Sequence, residues 1–73
     1  MMGGENMRIT MKAARVNANL SQATAAKALN IGLKTLQNWE SGVTFPRADR
    51  LKEICALYGC NLEDIIFLPN KHG

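Results

Sequence analysis

The chain has 73 residues, 47% of them hydrophobic, with two cysteines, one histidine and a formal net charge of +3, which is too short for more than one domain and too apolar for a disordered tail. Cys55, Cys60 and His72 are too few for a disulfide framework or a structural zinc site, no run approaches the roughly 20 apolar residues of a membrane span, and MMGGENM lacks a signal peptide's hydrophobic region, so a cytoplasmic protein with reduced thiols is expected. The charge is uneven: residues 1 to 38 hold Arg8, Lys12, Arg15, Lys27 and Lys34 against Glu5 alone, and a basic half suggests an acidic partner such as nucleic acid.

Residues 1–7 show no pattern and are expected to form a flexible tail, followed by a domain over 8–68 and a short C-terminal tail over 69–73. Ile9, Ala13 and Val16 fit the apolar stripe of a first helix, which Leu20 extends, and Asn19 sits where that helix should stop. Ser21 offers an N-cap oxygen to a second helix, QATAAKAL, whose alanines give high helix propensity and little bulk. Asn30 follows where a helix ends in the left-handed conformation. Only Ile31 and Gly32 separate it from a third helix, Leu33 to Glu40, so the turn is tight.

Ser41-Gly42 ends the third helix and GVTFPR reads as a loop. Pro46 suits the first turn of a fourth helix, in which Leu51, Ile54, Cys55 and Tyr58 recur at i, i+3, i+4 and i+7. Gly59 terminates it. Asn61 can cap a fifth helix, LEDIIFL, whose Glu63 and Asp64 suit the positive end of a helix dipole and which Pro69 ends. No β-alternation is apparent, which makes the expected class all-α.

The third helix carries the functional signal. Leu33, Leu36, Trp39 and Glu40 fall on one side of a 3.6-residue period, while Lys34, Gln37, Asn38 and Ser41 lie on the other. An ordinary solvated face is rich in Glu and Lys, whereas Asn and Ser are poorer helix formers. A small alanine-rich helix, a tight turn and a short helix with an amide-rich outward face describe a helix-turn-helix, whose second helix enters the DNA major groove. Gln and Asn pair bidentately with adenine and Lys donates to guanine O6 and N7, so Lys34, Gln37 and Asn38 are candidates for base contacts, with Thr35 near a phosphate or a thymine methyl. Trp39 is inward in phase and is expected in the core.

From about Met7 to Phe67 the sequence resembles the phage repressor and Cro type of helix-turn-helix protein, also called the XRE family. The matching residues are Arg15, Leu20-Ser21-Gln22, Ala26, Leu29, Asn30-Ile31-Gly32, Thr35-Leu36, Trp39-Glu40-Ser41-Gly42, Pro46, Leu51, Ile54, Leu57, Gly59 and Leu62. The resemblance implies a compact five-helix, lambda-repressor-like domain that binds an operator in double-stranded DNA as a dimer. It implies phosphate contacts for Ser21 and Gln22 at the start of the second helix, and for Thr44 and Arg47 in the following loop. It also implies a structural ion pair between Arg15 and Glu40. Gly32 departs from the pattern where a capping Ser or Thr is common. Leu33 departs where a polar base-contacting residue is frequent, and could touch a thymine methyl instead.

The reading that follows is a DNA-binding transcriptional regulator of repressor or Cro type, without cofactor, metal or catalytic residues. With the chain ending at Gly73, no small-molecule inducer domain is expected. The apolar run Ile65, Ile66 and Phe67 on a C-terminal helix is a candidate homodimer interface. The same run motivates the alternative, a protein-interaction module such as the antitoxin or partner-binding subunit of a regulatory pair. An enzyme is disfavoured, because the single histidine is near the C-terminus and no nucleophile-base arrangement or glycine-rich phosphate loop is present.

Overall fold

A computed structural model of the protein describes residues 8–67. The expected tails, and the end of the expected domain at residue 68, lie outside the described residues.

The chain opens with β1 (Ile9–Thr10), which runs straight into helix α1 (Met11–Asn17). Thr10 is extended, and its hydroxyl oxygen accepts from the Ala13 N–H at 3.1 Å. The helix that starts there turns Met11, Ala14 and Arg15 inward. The expected stripe of Ile9, Ala13 and Val16 is therefore incorrect. Ile9 is in the strand, Ala13 is exposed and Val16 is 54% exposed. Because the helix starts only after Thr10, Ile9 lies off the helical period and cannot mark the face on which Ala13 and Val16 fall.

Asn19 does stop the first helix, with a φ of 63°. Helix α2 (Gln22–Leu29) then begins at Ser21, whose side chain accepts from the Thr24 N–H at 3.0 Å, and ends at Asn30 with φ 58° and ψ 46°. Ala25 and Ala26 are buried at 0% and 3% exposure, so their lack of bulk is used for close packing.

Helix α3 (Leu33–Ser41) starts after an extended Gly32 that provides no side-chain cap, and closes at Gly42 with φ 83°. The φ of Gly42 lies in the region where any Cβ is strained. Helix α4 (Ala48–Tyr58) begins later than expected: Arg47 is its N-cap, and the buried Pro46 precedes that cap rather than occupying the first turn. Proline fixes its own φ and restricts the residue before it, but leaves the residue after it free to stay extended. Gly59 ends α4 with a φ of 73°.

The largest departure is at the end of the chain. LEDIIFL forms a one-turn 3-10 helix (Leu62–Asp64) followed by β2 (Ile65–Ile66), which pairs in parallel with β1, Ile9 opposite Ile65 and Thr10 opposite Ile66. Among the described residues the fold is thus four α-helices, a 3-10 turn and a two-stranded ladder, and over 62–67 the fifth helix, like the C-terminal helix offered as a dimer interface, is not formed. Asn61 also makes no side-chain cap, its amide donating instead to Asp64 Oδ2 at 3.3 Å. Two β-branched isoleucines opposite Ile9 and Thr10 fit a pleated, half-buried edge better than a helix.

The core lies where α1, α2, α3 and α4 meet, with Leu36 of α3 and Ile54 of α4 both at 0% exposure. Tyr58 and Ile65 complete it, and Trp39 is partly buried against it. Leu36 fixes the inward face of α3, and with it the face that remains for a partner.

Candidate nucleic-acid interface

Helix α3 is anchored to the domain by charge as well as by Leu36. Arg15 of α1 donates from Nε to Glu40 Oε2 at 2.7 Å and from Nη2 to Glu40 Oε1 at 3.3 Å, while Nη1 donates to the Leu20 carbonyl at 2.7 Å. The two side chains are 8% and 4% exposed. A buried ion pair is expensive to desolvate and stands only when its remaining donors and acceptors are also used. Here a second donor completes the carboxylate: Gln22 Nε2 reaches Glu40 Oε1 at 3.0 Å. The hydrogen bond that Arg15 donates to Glu40 is the main reason its pKa is raised above its already high ordinary value, against the opposing effect of burial.

The Tyr58 hydroxyl is buried with no hydrogen-bond partner among the described residues. Burial, and then the nearby Glu40 carboxylate, push its pKa up to about 12, with Arg15 pulling the other way. Burial next to Cys60 likewise raises the Cys55 thiol to about 11.

From this anchored side, α3 turns a second face outward. Lys34, Thr35 and Gln37 are exposed, and Leu33 is 44% exposed. The grouping of Leu33 with the inward residues is therefore corrected: with Leu36 at the centre of the buried stripe, a residue one turn earlier and to the side clears the core. Asn38 is half-buried, and its carbonyl accepts from the Val43 and Thr44 N–H groups at 3.0 and 3.3 Å. That contact ties the loop carrying Thr44 and Arg47, both exposed, to the end of α3. Ser21 and Gln22 lie at the start of α2, where free backbone N–H groups and the helix dipole favour an anion. No acidic residue occupies the first turn of α2 or α3. The candidate base-contact and phosphate-contact residues are thus carried by the two helices and the loop that leads away from them.

Two links escape sequence inspection. Gln37 Nε2 donates to Gln22 Oε1 at 3.4 Å, joining the outward face of α3 to α2. Arg50 donates to the Leu29 carbonyl at 3.0 Å and to Glu53 at 2.9 Å, placing a cation at the negative end of α2. Both depend on how the helices cross, and no local signal points to either, since Arg50 lies in the first turn of α4, the end that disfavours a cation.

A family model described as Helix-turn-helix matches residues 11–65. The match spans both helices of the outward-facing unit, the turn between them and the helix behind. The chain therefore belongs to the XRE type of helix-turn-helix family, a class of DNA-binding transcription regulators. No curated protein and no solved structure matches it. Among the described residues, no helix is long and apolar enough to cross a membrane.

Proposed function

We propose that the chain is a repressor or Cro-like regulator of phage or prophage type, acting in the cytoplasm and binding a palindromic operator as a homodimer with α3 in the major groove. The observation that carries the reading is the outward face of α3. It is unusually rich in groups that donate and accept, and is held rigid from behind by Leu36 and the Arg15–Glu40 pair. Leu33, Lys34, Gln37 and Asn38 are assigned to base edges. Lys34 suits guanine, the amides suit adenine, and the exposed Leu33 suits a thymine methyl. Ser21, Gln22, Thr35, Thr44 and Arg47 are assigned to phosphates, which fix register without reading sequence. Phe45, 52% exposed and in edge contact with Phe67 at 5.5 Å between centroids, provides apolar surface for a second copy.

The test is selection from random duplexes by the purified protein at two salt concentrations. A symmetric consensus with half-sites about one helical turn apart is expected. Loss of that consensus in Lys34→Ala and Asn38→Ala would assign the reading to α3. Weak binding without a consensus, falling steeply with salt, would contradict the proposal, because it requires only the basic half of the chain. It would favour the second reading, a partner-binding module of antitoxin type, which the exposed Val43 and Phe45, at 54% and 52%, support.

A further inference from the structure

The buried ion pair is the root of a chain of hydrogen bonds that ends on the candidate reading face. An ionised carboxylate can only accept, so Glu40 dictates the direction of every bond leading to it. Its Oε1 takes a bond from Gln22 at 3.0 Å, so the amide nitrogen of Gln22 must face Glu40. The amide oxygen of Gln22 is then turned toward α3, where it accepts from Gln37 Nε2 at 3.4 Å. One N–H of Gln37 is thereby used within the protein. What remains is its carbonyl oxygen and a single N–H, one acceptor beside one donor.

That remainder matches adenine, whose major-groove edge presents the N6 donor beside the N7 acceptor. It does not match guanine, whose N7 and O6 both accept and would need both N–H groups of the amide. A Gln37 without the tether could turn its amide over or donate twice. Gln22 is half-buried and Gln37 exposed, so the polarity is set inside the domain and displayed outside it.

We propose that Gln22, held by Glu40, is a positioning residue that fixes the amide of Gln37 in one orientation and so makes Gln37 select adenine at one base pair of the half-site. The proposal rests on the DNA-reading function given above. It gives Gln22 a role in specificity that a phosphate contact alone does not supply.

The experiment is the same random-duplex selection carried out with the full chain and with Gln37→Ala, Gln22→Met and Gln22→Ala. Far-UV circular dichroism and a thermal melt establish that each variant is folded. Gln22→Met keeps the length of the side chain without an amide, and Gln22→Ala gives a second route should methionine disturb the packing. The unsubstituted chain is expected to prefer adenine about tenfold at one position of each half-site. Gln37→Ala should abolish that preference. Both Gln22 variants should bind more weakly overall and reduce the preference at that same position to less than about threefold, with the other positions still selected. A uniform loss of affinity with adenine selection intact would overturn the proposal and leave Gln22 a phosphate contact. Relaxation by Gln37→Ala at a G·C pair would overturn it as well. In either case the operator-binding function would stand, whereas failure of the unsubstituted chain to select any consensus would remove both.

Discussion

The two helices α2 and α3 and the closing segment 61–67 face the same problem, which is to satisfy backbone groups and exclude water in a very small domain. They do so by different means. In α2 and α3 the ends are closed locally, by Ser21 and by the left-handed Asn30 and Gly42, and the pair is joined where Gln22 donates to the Glu40 carboxylate of the buried ion pair. The closing segment has no side-chain cap on its 3-10 turn and is held by a two-residue ladder to the start of the chain, with only Ile65 buried. The difference shows where rigidity is concentrated. The face assigned to DNA is backed by many independent constraints, while the strand pair closes the domain with few.

Removing the charge network should have the largest effect on the α2–α3 side. Glu40→Ala leaves the Arg15 guanidinium buried without its carboxylate, and a loss of about 3 kcal/mol or more is expected in urea unfolding. A loss below about 1 kcal/mol would mean the ion pair adds little to the helix pair. On the other side, Ile65→Ala removes the one buried side chain of β2, with an expected loss of about 2 kcal/mol, at the low end for such truncations because the site lies at an edge that can collapse. Native-state hydrogen exchange sharpens the contrast: ladder amides should exchange well before those of α2 and α3 in both the parent and this variant.

A third effect comes from the hydroxyl and thiol behind the network. Tyr58 and Cys55 both have raised folded-state values, about 12 and about 11. Each is neutral when protonated, so the folded state holds its proton to higher pH than the unfolded chain does. The sign follows. Stability is fully present below the unfolded values near pH 9 to 10 and falls as pH rises toward 11 and 12. Tyr58→Phe removes an unpartnered buried hydroxyl, and should flatten the fall above pH 10 without lowering the neutral-pH melting temperature. A lower melting temperature at neutral pH would mean that the hydroxyl is hydrogen-bonded after all.

The smallest effects concern caps. Ser21→Ala should cost about 1 kcal/mol, since it removes the acceptor for the Thr24 N–H. Gly32→Ser should add a few tenths of a kcal/mol to thermal stability, because Gly32 is already extended and a Cβ there would meet Thr35 Oγ1 at an ordinary 3.8 Å.

The same contrast explains what could be read from the residues. Ser21, Asn30, Gly42 and Gly59 announce their helix ends because capping is local chemistry, carried by the residue in question. The phase of α1 is misread from Ile9, Ala13 and Val16, because apolar spacing alone does not show that Thr10 starts the helix. Ile65 and Ile66 read as helical in isolation. Their strand partner is Ile9 and Thr10 at the other end of the chain, and no local pattern encodes a pairing of that range. Within the candidate site, Lys34 and Gln37 are recognisable as outward from periodicity. Leu33 is misplaced by one-sided counting, and the Gln22–Gln37 bond is invisible without the crossing of two helices.

On the proposed function, the outward face of α3, held by its charge network, is the surface that meets DNA. The most direct measurement follows the amide chemical shifts of the protein as the duplex selected from random sequence is added. The largest changes are expected at residues 21–22, 33–38, 44 and 47, with the side-chain amides of Gln22 and Gln37 shifting together. Changes centred instead on β1, the 3-10 turn and β2, with α3 unmoved, would contradict it.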